Sequence, residues 1–239
     1  MNRRTLAGLA VLGLVVGGGW LALRYGPTAR RTARLLTFLR APQAHAPWVV
    51  PARIRCGSAP FLMPTAGYIG YLWGDRFQPF HTHQGVDIFA GTAPGVTPVY
   101  AAYEGYLTRL EGWKSAVIIR HADPLRPGRF IWSYYAHLAD PEGHSYIDPA
   151  FPPGTANQWV SAGTLLGYQG NYSGNPQRPV GVHLHFSLVL DDGQGHFRNE
   201  LDIANTLDPS PYLGMPLNAF QDPPEVPLCP PEAIQPFEE

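Results

Sequence analysis

The sequence contains the stretch His83-Gln84-Gly85-Val86-Asp87 and, about a hundred residues later, the stretch His183-Leu184-His185. A histidine and an aspartate separated by three residues can reach one metal ion. In a β-strand, successive side chains alternate between the two faces, so His183 and His185 point the same way. His83, Asp87 and one of the two later histidines provide two imidazoles and one carboxylate, which is the ligand set of a catalytic zinc that keeps a fourth position for water. These stretches therefore predict a zinc site.

The composition favours short strands and tight turns. Glycine and proline each occur 26 times among the 239 residues, and aromatic residues make up 12%. Within the presumed domain, runs of β-branched, aromatic and other apolar residues are separated by turn residues, and helical periodicity is weak except near 203–207. We therefore predict an all-β fold with an antiparallel sheet and few short helices. The predicted strands are 67–73, 99–102, 105–110, 115–121, 131–137, 164–170 and 181–190.

The chain divides into four predicted segments. Residues 1–27 form a membrane anchor or signal segment, since residues 5–23 are apolar and uncharged, and we favour an uncleaved anchor. Residues 28–52 form a basic juxtamembrane segment and a proline-rich linker. Within it, 28–40 is either an amphipathic helix on anionic lipid or a solvated stalk. Residues 53–213 form the globular domain, and 214–239 a proline-rich acidic tail.

Two features disagree about the side of the membrane on which the domain lies. Two arginines precede the apolar segment and five follow it within residues 24–40, so the positive-inside rule places the domain in the cytoplasm. Cys56 and Cys229 bracket the domain and predict a disulfide, which indicates export; two unpaired thiols are the alternative. We favour export. The net charge of −1 argues against nucleic-acid binding.

An ordered series of motifs resembles the M23 family of metallopeptidases, the lysostaphin or LytM type. The resemblance covers roughly residues 83–186. Its segments, in order, are His83-x-Gly85-x-Asp87-Ile88, Thr97-Pro98-Val99-Tyr100-Ala101 with Gly105, Val117-Ile118-Ile119-Arg120-His121, Tyr135-Ala136-His137-Leu138, Val160 with Gly163, Leu166-Gly167 and Gly170, and His183-Leu184-His185-Phe186.

The resemblance implies a LytM-like sheet with an open groove and a zinc endopeptidase that cuts peptidoglycan peptides. It implies that His83, Asp87 and His185 bind one Zn²⁺ per domain and that His137 and His183 are catalytic. It also implies a position at the extracytoplasmic face of the membrane. The scissile bond stays open among D-Ala–diaminopimelate crosslinks, glycine bridges and stem peptides.

The sequence bears independently on the mechanism. It has no H-E-x-x-H motif, so an imidazole has to act as the base. We favour His183 for this role, with His137 stabilising the oxyanion or protonating the leaving amine. Strand alternation places Tyr135 and His137 on one face, which predicts that both enter the cleft; Tyr135 as a core aromatic is equally open.

Each motif also has a plainer interpretation. His83 with Asp87 alone is more often a buried hydrogen-bonded pair, and it is the joint occurrence of the motifs that favours the metal. A non-catalytic peptidoglycan-binding or activator module is the alternative function, and a peptidase for another substrate is a third. His81 is expected in a loop, with a contact to the substrate or to a metal-binding residue as the alternative, and His121 is expected in the core. Two long connections, 121–130 and 174–183, are expected near the cleft.

Overall fold

The computed structural model describes residues 26–76 and 81–237, and the predicted all-β antiparallel fold is confirmed. The strands are β1 Ile54–Cys56, β2 Tyr68–Tyr71, β3 Val86–Phe89, β4 Pro98–Tyr100, β5 Gly105–Thr108, β6 Val117–Ala122, β7 Phe130–Ala136, β8 Gln158–Val160, β9 Leu165–Tyr168, β10 Leu184–Leu190, β11 Thr206–Leu207 and β12 Ile234–Pro236. The α-helices are α1 Pro27–Arg40 and α2 Ser210–Leu213, and 3-10 helices cover Pro42–Trp48, Ile203–Asn205, Ala219–Gln221 and Pro231–Ala233.

One large sheet carries the site. Its strand order is β2-β3-β10-β7-β6-β5-β8, with β11 beside the second half of β10. Two ribbons, β1 with β12 and β4 with β9, complete the β structure, and the pairs between these named strands are all antiparallel. The long central strands β7 and β10 pair along their length, so residues on them have well-defined faces.

The two faces of the large sheet have different compositions. Ile88, Tyr135 and Phe186 belong to the main hydrophobic core on one face. Asp87 and His185 lie at alternate positions of β3 and β10, and therefore point to the opposite face. The core face holds the fold together, and the other face is left to carry the polar site.

Each predicted strand overlaps an observed strand. Strand β3 was missed, although it carries Asp87, because all four of its residues are buried and Asp87 interrupts its apolar run, so no apolar–polar alternation marks it. The short strands β1, β8, β11 and β12 were missed as well. The segment 203–207, whose pattern is weakly helical, forms a single 3-10 turn followed by β11.

Helix α1 packs against β2 of the domain. Its Leu35 and Phe38 are buried in a cluster with Tyr68 and Phe89. The guanidinium of Arg31 donates to both carboxylate oxygens of Asp75, at 2.8–3.1 Å. The alternative that residues 28–40 form a solvated stalk is therefore wrong. The alternative of an amphipathic helix on anionic lipid predicted the helix, but it did not include this contact with the domain.

The following segment also packs on the domain. After the 3-10 helix Pro42–Trp48, Val50 is buried and forms a bridge with Gly67, where a linker was expected.

The predicted disulfide between Cys56 and Cys229 is confirmed, with a Cα–Cα distance of 5.6 Å. It ties the C-terminal segment to β1, and β12 of the same segment pairs with β1. The C-terminal segment is thus held by covalent and hydrogen bonds although most of it is irregular.

The predicted anchor, residues 5–23, lies outside the described residues. Among the helices that are described, none combines the length and the hydropathy needed to cross a bilayer.

Candidate metal centre and groove

Three donor atoms meet on the groove face of the sheet. His83 Nε2 lies 3.0 Å from Asp87 Oδ1 and 3.1 Å from His185 Nδ1, and His185 Nδ1 lies 2.9 Å from Asp87 Oδ1. Donors bound at about 2.0–2.1 Å by a tetrahedral zinc lie roughly 3.3 Å apart. The three atoms form a nearly equilateral triangle of almost that size, so the residues fit a zinc ion.

The pairing of β3 with β10 brings these donors together. Asp87 and His185 are directly opposite each other in the register of the two strands. Gly85 lies just before β3, and a Cβ atom at this position would be 2.3 Å from the carbonyl oxygen of Phe186. Only glycine allows the backbones to approach this closely, which explains why glycine occupies position 85 of the motif.

In His83 and in His185, a hydrogen bond from one ring nitrogen leaves the other ring nitrogen facing the centre of the triangle. His83 Nδ1 donates to the carbonyl oxygen of Leu72 at 3.0 Å, which leaves Nε2 unprotonated for a metal. His185 has the opposite arrangement. Its Nε2 donates to Glu200 Oε1 at 2.9 Å, which leaves Nδ1 for a metal. A carbonyl or carboxylate oxygen only accepts, so these partners set the tautomers.

Two further histidines lie beside the triangle. The ring centroid of His137 is 4.5 Å from that of His183 and 6.2 Å from that of His185. His137 Nδ1 donates to the carbonyl of Tyr172, and His183 Nδ1 donates to the carbonyl of Gly181, each at 2.6 Å. The Nε2 atoms of both rings are thus left to act as proton acceptors.

The local backbone overrides strand alternation at His137. Strand β7 ends at Ala136, and His137 has a φ of 71°, in the left-handed region. The turn places His137 in the groove, which Tyr134 and Ala136 also line. Tyr135 is fully buried in the core, where its hydroxyl accepts a hydrogen bond from the backbone N–H of Ala102 at 2.8 Å. Of the two alternatives left open for Tyr135, the core aromatic is confirmed and the groove lining is wrong.

The close approach of the donor groups sets the direction in which the pKa values of Asp87 and His185 are shifted. Burial alone raises the pKa of Asp87, but the imidazoles of His83 and His183 and hydrogen bonds from the rings hold it well below its usual range. Burial disfavours charge on His185, yet hydrogen bonds to Asp87 and Glu200 raise its pKa to about 10. A metal at Nδ1 therefore has to displace a proton, as ligand histidines generally require.

The other two rings are shifted the opposite way. Burial, followed by the charges of His183 and His185, lowers the pKa of His137 to about 3. Burial likewise lowers the pKa of His183, with Asp87 opposing the shift. Both rings are accordingly neutral near pH 7, the state in which an imidazole accepts a proton.

The five residues form the floor of a groove of about 680 Å³. Leu36 and Leu39 of α1 line one side of it, and Val180 and Gly181 also line it. The connection 174–183 therefore reaches the cleft as predicted. The connection 121–130 does not, since it joins β6 to the end of β7 opposite His137.

The remaining histidines are not among the five residues at the donor triangle. His81 lies outside the named strands and lines the groove. His121 is buried and hydrogen-bonded in the core, as expected. His144 and His196 are exposed and each lies beside an aspartate four residues earlier. His45 stacks on Trp48 at 4.1 Å.

Glu200 is the residue of the site that sequence reasoning missed. It lies in a turn 15 residues after His185, where no motif marks it, and it contacts His185 and Ser187 through hydrogen bonds. Burial raises the pKa of its carboxyl group, but His185 holds the pKa below its usual value. A single sequence contains no signal for this contact, because it depends on how the turn folds back.

No protein-family model matches the chain, and no curated protein sequence matches it. Solved structures do match. The catalytic domain of lysostaphin, an antimicrobial peptidase from Staphylococcus simulans, is 20% identical, with 62% of this chain and 89% of that chain covered and a TM-score of 0.38. The catalytic domain of the prophage-encoded M23 protein EnpA from Enterococcus faecalis is 23% identical, with 63% and 94% covered and a TM-score of 0.38. Helicobacter pylori Csd3 is 17% identical, with 68% and 35% covered and a TM-score of 0.38.

The first two of these proteins are of the kind that the sequence motifs resemble. At these identities and TM-scores the likeness adds no weight to individual residues. The assignment of the site rests on the motifs and on the geometry.

Proposed function

We propose that the protein is a zinc endopeptidase that hydrolyses peptide crosslinks or stem peptides of bacterial peptidoglycan. The observation that carries the proposal is the triangle of His83 Nε2, Asp87 Oδ1 and His185 Nδ1 on the floor of a groove, with two neutral imidazoles beside it. The ordered M23-like motifs supply the substrate class. One Zn²⁺ per domain would be held by these three atoms.

Zinc, when bound, supplies an acidified water and polarises the scissile carbonyl. His183 Nε2 lies 3.6 Å from Asp87 Oδ1, and so stands beside the donors with its other nitrogen tied to a carbonyl. In the proposal, His183 Nε2 takes the proton of the attacking water. His137 Nε2 stabilises the oxyanion or protonates the leaving amine. The groove excludes part of the bulk water from both rings.

Digestion of purified peptidoglycan sacculi by the full-length protein with added zinc tests the proposal, with products identified by mass spectrometry. We expect loss of crosslinked or stem-peptide-containing fragments. His137→Ala and His183→Ala should each abolish cleavage while about one zinc ion stays bound. His185→Ala should lose both the cleavage and the bound zinc. His144→Ala, a change at an exposed histidine, is the control and should cleave normally.

Two outcomes would contradict the proposal. Near-normal cleavage by His137→Ala or His183→Ala would overturn the catalytic roles. Bound zinc with no cleavage by the wild type would favour the alternative, a peptidoglycan-binding or activator module that regulates other enzymes. The muropeptides released by an active protein would identify the scissile bond.

We further propose that residues 5–23 tether the domain to the membrane and that the domain lies on the extracytoplasmic side, where peptidoglycan is found. The disulfide between Cys56 and Cys229 supports export, because such bonds persist in oxidising compartments.

A further inference from the structure

Glu200 is a largely buried carboxylate that the proposed reaction does not use. Its side chain is 15% exposed. The Oε1 atom accepts two hydrogen bonds, from His185 Nε2 at 2.9 Å and from Ser187 Oγ at 3.1 Å. These two hydrogen bonds hold the carboxylate in one place.

The turn that carries Glu200 is itself attached to the metal-binding motif. Gln84, next to His83, donates from Nε2 to the carbonyl oxygen of Leu201 at 2.8 Å. The backbone N–H of Leu201 in turn donates to Asn199 Oδ1 at 3.1 Å. The position of Glu200 is therefore tied to the same motif that supplies His83 and Asp87.

The geometry separates Glu200 from the donor triangle. Its contact is with Nε2 of His185, whereas the triangle uses Nδ1 on the other side of the ring. Among the described residues, the group that can share a metal at this site comprises His83, Asp87 and His185, without Glu200. This placement argues against Glu200 as a fourth ligand or as the base for a water at the metal.

We propose that Glu200 is a positioning residue that holds His185 in the Nε2–H tautomer and orients its Nδ1 toward the metal. Carboxylates that accept a hydrogen bond from a ligand histidine orient the ring and increase its basicity, and their loss typically weakens metal binding by roughly 10–100-fold. The inference rests on the proposed zinc site, but not on peptidase activity.

Zinc affinity of the full-length protein, measured by competition with a chromogenic chelator, tests this role. Glu200→Ala should weaken zinc binding by roughly 10–100-fold. Glu200→Gln keeps an oxygen that accepts from Nε2–H and should recover most of the loss. Asp202→Ala changes a carboxylate in the same turn that, among the described residues, accepts from the backbone N–H of Ala204 and does not contact His185. It is the matched control and should bind zinc like the wild type.

The visible absorption of the cobalt-substituted protein provides a second readout, which a change in stability alone would not alter. The ligand-field bands should shift in Glu200→Ala and return toward the wild type in Glu200→Gln. Should the alanine variant fail to fold, Glu200→Leu keeps a similar side-chain volume without an acceptor and carries the same expectation.

Several results would overturn the inference. If folded Glu200→Ala has the zinc affinity and the cobalt spectrum of the wild type, the inference about Glu200 is refuted but the proposed zinc site is not. A loss in Glu200→Gln as large as that in Glu200→Ala would refute the tautomer role. A wild-type protein that binds no zinc would refute the inference together with the proposed metal site, whereas zinc binding without cleavage of sacculi would count against the peptidase only.

Discussion

His121 is a buried imidazole on the core face of β6, 1% exposed. Its Nδ1 donates to the carbonyl of Glu104, and its Nε2 lies 2.6 Å from Ser133 Oγ, so both nitrogens have partners. Burial lowers the pKa of His121 to about 4, although the hydrogen bond to Glu104 opposes the shift. The ring is therefore neutral in the folded protein near pH 7.

This shift makes stability depend on pH. An unfolded histidine has a pKa of about 6.5, so between roughly pH 6.5 and 4 the unfolded state binds more protons and stability falls as the pH falls. From pH 7.5 to 5.0 the wild type should lose about 2 kcal/mol more than His121→Gln, in which this group is absent. Urea unfolding of both proteins at the two pH values measures the difference. Equal losses of stability in the wild type and in His121→Gln would show that His121 has an ordinary pKa in the folded protein.

The residues of the site differ in how far the sequence predicted them. The spacing predicted His83 and Asp87 as candidate donors together with one of two later histidines, and the resemblance pointed to His185. The structure brings donor atoms of these three residues to about 3 Å of one another. The face of Tyr135 was not predicted, because alternation holds only inside a strand and His137 lies in a left-handed turn beyond it. Glu200 has no motif and could only be found by contact.

At the scale of elements, α1 connects the beginning of the described chain to the site. Asp75 accepts from Arg31, and the backbone N–H of His83 donates to the carbonyl oxygen of Asp75 at 2.8 Å. Leu35 of α1 also packs in one cluster with Phe89. The ring of Phe89 stacks on that of His183, with 4.7 Å between the ring centroids. Helix α1 therefore forms one wall of the groove, and a protein shortened to begin at residue 51 would lack that wall.

The docking of α1 predicts a large effect of Phe38, which has no exposed surface. Phe38→Ala should destabilise the fold by about 3–5 kcal/mol through the lost burial and the cavity left against Tyr68. Thr37→Ala, on the exposed face of the same helix, is the control and should change stability by less than about 0.5 kcal/mol apart from helix propensity. Urea unfolding measures both. Equal, small effects would mean that α1 is not docked in solution.

At the scale of the whole molecule, the disulfide joins segments 173 residues apart in sequence. In the chain-entropy model, closing such a loop stabilises the fold by about 5 kcal/mol. The strands between the two cysteines fold within this covalent ring. Both cysteines are buried, which shields the bond from reductants.

The disulfide and the arginines following the apolar segment predict opposite sides of the membrane, and a reporter decides between them. Alkaline phosphatase joined after Arg40 should be active, because we expect the domain to be exported. A fusion of the same reporter to a variant lacking residues 5–23 is the control and should be inactive. An inactive fusion after Arg40, with the protein present, would place the domain in the cytoplasm and contradict the localisation.

The sequence by itself predicted the fold class, most of the strands, the disulfide, and His83 and Asp87 with one of the two later histidines as candidate donors. These features depend on local periodicity, on the spacing of a few residues and on a cysteine pair, all of which can be read along one chain. The tertiary structure decided the turn at His137, the contact of Glu200 with His185 and the docking of α1. Each of these depends on backbone conformation or on packing between distant residues, and a change of one φ angle or one contact partner leaves no periodic trace in the sequence.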